Sequence, residues 1–154
     1  MKFCRSITFV SALFVAPALL AATPQDPINN LFDAMREHDG TKLQAQFMPD
    51  ALLQRVNKTG EMQNNDISKF ANIISESKNH LDEHLLGVTV QQSDNLASVW
   101  TPYAFYLDGK LRHCGVNSFQ LVLVEDKWKI QYLIDNVHQG DCEAFIQQHS
   151  QSQH

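Results

Sequence analysis

Between residues 26 and 77 apolar side chains recur every three to four positions, and from about residue 84 they alternate with polar ones. Ile28, Leu31, Phe32 and Met35 fall at i, i+3, i+4 and i+7, the stripe of an amphipathic helix. Asp26-Pro27 reads as an N-cap followed by proline at the first helical position. Gly40 reads as the stop of that helix, and Thr41 as the cap of a short second one carrying Leu43 and Phe47. Pro49-Asp50 turns the chain, Ala51 to Val56 form a short strand, and Asn57 to Gly60 form its turn. Asp66 caps a third helix with Ile67, Phe70, Ala71 and Ile74 on one face. Period-two runs then follow over Leu85–Gln92, Leu96–Leu107, Lys110–Val124 and Trp128–His138. Turns separate them at Ser93-Asp94-Asn95, Asp108-Gly109 and Asp126-Lys127. Pro102 inside the second run predicts an edge position or a bulge. Asp141 caps a short final helix. Helices first and an antiparallel meander afterwards predict an α+β fold. Its curved sheet has four long strands plus a short early hairpin and packs against three N-terminal helices.

Hairpin geometry converts the turns into partners. A tip at Asp108-Gly109 sets Ala104 opposite His113, Pro102 opposite Gly115 and Trp100 opposite Asn117. A tip at Asp126-Lys127 sets Leu121 opposite Tyr132, Phe119 opposite Ile134, Asn117 opposite Asn136 and Gly115 opposite His138. Side chains alternate across a strand, so these residues share a face. That face is apolar through Trp128, Ile130, Tyr132, Ile134, Leu123, Leu121 and Phe119. It turns polar through Asn117, Asn136, His113, His138, Trp100 and Tyr106. Such a gradient describes a half-lined pocket. The candidate ligand-binding residues are therefore His113, Asn117, Trp100, Tyr106, Tyr132, Asn136 and His138. Histidine supplies acid–base capacity near neutral pH, asparagine holds a carbonyl or amide, and the large aromatics can stack on a planar ligand. The opposite face holds Val99, Tyr103, Phe105, Val116, Leu133, Asp135 and Val137 and is too apolar for plain solvent. It predicts a homodimer surface, with Asp135 as a structural charge on it rather than a general base. One bulge would exchange the two faces beyond it.

The chain has 154 residues, which points to one domain. Lys2 and Arg5 precede an uncharged apolar run from Ile7 to Leu20, and Ala21 and Ala22 supply small residues at its end. This is the form of a secretory leader, with cleavage at Ala21 or Ala22 and no membrane anchor left afterwards. The expected division is a signal peptide at 1–22, one domain at 23–148 and a polar tail at 149–154. A bacterial periplasmic or secreted location follows. Cys4 leaves with the leader, and Cys114 and Cys142 remain as an even pair that the second hairpin brings within reach. A disulfide between them is expected in an oxidising compartment. Twelve basic against seventeen acidic residues give a net charge of −5 and no basic stripe, which argues against nucleic-acid binding. His80 and His84 stand at i and i+4 but at a helix-to-strand junction, so no metal site is read from them. No nucleophile elbow, phosphate loop, zinc-ligand quartet or C-x-x-C occurs. No cofactor is implied.

"PINNLFDAMREHDGTKLQAQFMPDA", "TGEMQNNDISKFANII" and "HCGVNSFQLVLVEDKWKIQYLID" together resemble the nuclear transport factor two-like superfamily. Within it they are most similar to small bacterial proteins labelled lumazine-binding, close to the SnoaL-like group. The resemblance spans about Pro27 to Asp135 and implies a cone-shaped α+β barrel, a pocket between sheet and helices, and a dimer. It implies no single activity, because that fold carries isomerases, cyclases, dehydratases and plain binders. Three readings stand. The first is an exported domain that binds a small apolar or aromatic molecule. The second is a cofactor-free isomerase, cyclase or dehydratase using His113 or His138. The third is an interaction domain working through its outer sheet face.

Overall fold

The computed structural model describes residues 21–150. Residues 1–20 of the leader predicted at 1–22 and the end of the tail at 151–154 lie outside them. The order is α1 (Asp26–Arg36), α2 (Gly40–Gln44), β1 (Phe47–Val56), β2 (Met62–Asn65), α3 (Ile67–Glu76), β3 (Leu81–Leu85), β4 (Thr89–Ser93), β5 (Leu96–Leu107), β6 (Lys110–Val124), β7 (Lys127–Val137) and α4 (Cys142–Ser150). One seven-stranded sheet runs β2-β1-β7-β6-β5-β3, with β4 also on β5. All pairs are antiparallel except β1 with β7. The sheet does not close, because β2 and β3 end the path. The α+β class and the early hairpin agree with the sequence reading. The parallel docking of β1 on β7, which extends the meander sideways, was not foreseen.

The α1 stripe is buried as expected: Ile28, Leu31, Phe32 and Met35 are at most 5% exposed. They cover Phe119, Leu121 and Ile130, which are fully buried, and Phe32 meets Phe119 edge to face at 6.5 Å. Three helix ends differ from expectation in their details: at the start of α1, Gln25 stands at the N-cap and Asp26 already lies in the first turn. Asp39, not Thr41, caps α2 by accepting the Lys42 N–H at 2.9 Å. Gly40 does not supply the left-handed turn after α1; His38 does, at φ 57°. The missing Cβ of Gly40 instead admits α3, since a methyl there would strike the Ala71 carbonyl and the Ser75 hydroxyl. Asp66 caps α3 as predicted, accepting from Lys69 N at 2.8 Å.

The strand pairing departs from expectation at two bulges, and both matter for the site. The second hairpin turns at Glu125 and Asp126, φ 51° and 60°, one residue earlier than expected. That shift moves each partner by two and leaves the faces alone. Between Gln120↔Tyr132 and Leu121↔Ile130, however, Gln131 is an extra residue, and every β7 side chain beyond it changes face. The first hairpin turns at Asp108-Gly109 as expected, but Arg112 is extra between Tyr106↔Leu111 and Phe105↔His113. The Asp108-Gly109 tip therefore keeps its register for two pairs, Leu107↔Lys110 and Tyr106↔Leu111, and not beyond. Pro102 lies at a break in the ladder, where the three residues 86–88 face only Thr101 and Pro102, as the sequence reading of an edge or bulge expects. β4 pairs with β5 up to Trp100 and β3 takes over at Tyr103, so Pro102 falls where no ladder donor is required.

Part of the apolar outer face is covered by α4. Phe145 and Ile146 pack against Ala104, Cys114, Tyr106 and Val116. Asp141 caps this helix by accepting from Ala144 N at 2.8 Å, and the helix runs through Ser150, past the boundary read at 148. Cys114 and Cys142 form a disulfide with their Cα atoms 5.6 Å apart. It fixes α4 to β6 and contributes about 2–4 kcal/mol.

Candidate functional site

With the bulges in place, the helix-facing side of the sheet carries Leu53 and Arg55 from β1, Glu83 from β3, Phe105 from β5, His113 and Asn117 from β6, and Leu133 and Asp135 from β7. They wall a cavity of about 630 Å³ whose other sides include Leu31, Phe32 and Met35 of α1 and Phe70, Ile73 and Ile74 of α3, with Asp66 and Lys69 beside them. Two of the seven residues expected at the site, His113 and Asn117, line it. The other five point elsewhere, for one physical reason. The extra residues Arg112 and Gln131 reverse the alternation of β5 and of the second half of β7 relative to β6. Trp100 is 52% exposed on the outer face. Tyr106 packs toward α4 and the His84 ring. Tyr132 donates its hydroxyl to Gln54 Oε1 on the outer face at 2.6 Å. Asn136 accepts from Val116 N at 3.1 Å. His138 stacks on Phe145 at 4.7 Å.

The same reversal brings Asp135 inside. It was expected on the outer face and instead lies opposite Asn117 on one side and Arg55 on the other. Arg55 Nε donates to both Asp135 oxygens at 2.9 and 3.0 Å, and Nη2 donates to Oδ2 as well. These bonds to Asp135 hold the Arg55 guanidinium firmly protonated. Asn117 is 4% exposed, and its Nδ2 donates to Glu83 Oε1 at 2.7 Å. Asn117 and Glu83 come from strands separated by β5, so sheet curvature is what lets them meet.

Glu83 was missed by the sequence reading. It lies inside His80–His84, which had been weighed only for a helical metal pair. The segment is a strand, and His84 bonds Asp82 Oδ2 at 2.6 Å instead of facing His80. Among the described residues no group of three or more His, Cys, Asp or Glu side chains could hold a metal. The overlooked signal was the alternation Leu81, Glu83, Leu85, which puts the glutamate on the core side. Glu83 is half-buried and lines the cavity. Burial pushes its pKa up from 4.5 to about 7, and the negative charge of Asp135 adds to this, while the Asn117 bond, Arg55 and Arg36 oppose it. Burial and the nearby Arg55 charge lower the pKa of His113. The His113 ring lies against Phe105 at 5.0 Å and edge-on to Tyr103 at 5.8 Å.

Tyr103 braces this wall from below. Its hydroxyl donates to the Asn136 carbonyl at 3.0 Å, and its ring passes over Gly115. A Cβ at Gly115 would strike that carbonyl, so the glycine permits the close crossing.

No family model matches the sequence, and no curated protein matches it. Solved structures do match the fold. A nuclear transport factor two-like protein of unknown function from Shewanella baltica superposes with a TM-score of 0.58 at 15% identity, over 76% of this chain and 92% of its own. A presumed scytalone dehydratase from Novosphingobium aromaticivorans gives 0.62 at 13% identity, over 74% and 80%. A presumed dehydratase from Streptomyces avermitilis gives 0.61 at 16% identity, over 74% and 92%. The fold is thus the nuclear transport factor two-like, or cystatin-like, α+β fold. Identities this low carry the fold alone.

Proposed function

We propose that this protein is an exported domain that binds one small, largely apolar molecule between sheet and helices. The observation that carries the reading is the cavity: aliphatic and phenyl walls on the helix side, converging polar groups on the sheet side, and a volume in the range of small-molecule sites. Export is supported by the apolar leader at the amino end and by the Cys114–Cys142 disulfide. Native mass spectrometry of protein purified from its host should show a retained small molecule. Leu133→Trp, which fills the cavity, should abolish that retention. A ligand-free spectrum together with no uptake of any neutral ring-sized probe would remove the proposal.

A second reading has its own support. A carboxyl poised near pH 7 inside an apolar cavity, held by Asn117 and backed by a fixed ion pair, has the make-up of a general acid–base. Presumed dehydratases stand among the structures that share the fold. On this reading Glu83, not His113 or His138, moves the proton. Turnover of a hydroxy or carbonyl compound that is lost in Glu83→Gln with binding retained would establish it.

A further inference from the structure

The two carboxylates in the cavity wall are held differently. Asp135 takes the whole inward edge of the Arg55 guanidinium. Glu83 receives one neutral donor, Asn117 Nδ2. The other nearby guanidinium, Arg36, is engaged with the side chains of Asp33 and Asp82 and reaches only the backbone carbonyl of Glu83, at 3.4 Å. Tyr103 gives its hydroxyl to Asn136, and His113 rests on Phe105. An ionised Glu83 therefore fronts the apolar space without a counter-charge of its own. The phenyl rings of Phe32, Phe70 and Phe105 line that space. A carboxylate in such surroundings favours a ligand that brings the missing cation, and aromatic faces attract the same charge.

We propose that the ligand is a ring-sized apolar amine whose protonated nitrogen pairs with Glu83. The inference rests on the cavity being a binding site. An anionic ligand would meet the carboxylates of Glu83, Asp135 and Asp66, against the Lys69 ammonium and one guanidinium already committed to Asp135. A neutral ligand would leave Glu83 without its counter-charge.

Three matched probes test this: 1-naphthylmethylamine, 1-naphthalenemethanol and 1-naphthoic acid, each titrated calorimetrically at pH 8 and pH 5.5. At pH 8 the amine should bind about 10-fold tighter than the alcohol, with the acid weakest. At pH 5.5 Glu83, with a pKa of about 7, is mostly protonated, and the amine should lose about 30-fold. Glu83→Gln should show no preference for the amine over the alcohol. The proposal is overturned if the amine binds no better than the alcohol at pH 8, or if its advantage survives in Glu83→Gln or at pH 5.5. Normal alcohol binding without any amine preference defeats the amine and leaves the binding site standing. Failure of all three probes, or binding that ignores Leu133→Trp, defeats both.

Discussion

One face of one sheet serves two purposes a few residues apart. Around Phe119, Leu121 and Ile130 it is sealed by α1, and those side chains are fully buried. Around Asn117, Asp135 and Glu83 the helices stand off, and the face opens onto a cavity of about 630 Å³. Both regions draw on β6 and β7, with the Gln131 bulge between them and Glu83 added from β3. The difference lies in what the helices deliver. Phe32 fills the first region, whereas α3 roofs the second without filling it. Stability is therefore concentrated at one end and polar chemistry at the other.

Breaking the sealed end should have the largest effect. Phe119→Ala removes a fully buried ring that packs on Phe32 and should cost about 3–5 kcal/mol in urea denaturation. A loss under 1 kcal/mol would mean the two ends are not distinct. Next comes Glu83→Gln. The folded-state pKa of Glu83 lies above its unfolded value, so its stabilising contribution is full below about 4.5 and is lost as pH rises through about 7. Relative to the parent, Glu83→Gln should therefore gain stability between pH 4.5 and 8, by on the order of 3 kcal/mol. A pH-independent difference between the two proteins would place Glu83 in water. Asn117→Ala should cost about 1.5–3 kcal/mol at pH 8, where the Glu83 carboxylate loses its donor. It should also raise the Glu83 titration above 7 in carboxyl-carbon NMR, because the Asn117 bond is what lowers it. A downward shift would contradict that role. The smallest effect is expected outside the cavity. Trp100→Ser should change stability by less than about 0.5 kcal/mol and leave probe binding intact. Altered binding there would extend the site to the outer face.

The helix stripes, the Asp66 and Asp141 caps, the hairpin at Asp108-Gly109 and the cysteine pair were legible because each depends on local chemistry. Periodicity, capping groups and turn dipeptides act within a few residues. The α+β class followed from their order along the chain. The cavity wall was only half legible. His113 and Asn117 were found because β6 alternates without interruption over its inner residues. Trp100, Tyr106, Tyr132, Asn136 and His138 were misplaced, and Asp135 was set outside, because a bulge leaves no mark in hydrophobic alternation when both faces of a strand are apolar. Leu133 and Ile134, or Tyr103 and Ala104, are equally acceptable to a pattern.

By itself the sequence determined the helices α1 and α3 and the strands β5, β6 and β7 with the turns between them to within a residue, but it set Phe47 on a helix and Pro49-Asp50 in a turn where β1 runs. Only the tertiary structure decided which side of β5 and β7 faces the helices. That choice turned on single extra residues, Arg112 and Gln131. It also took the curvature of the sheet to carry Asn117 across β5 to Glu83. Contacts between distant strands depend on register and bending summed over the whole sheet, and no local run of residues encodes that sum.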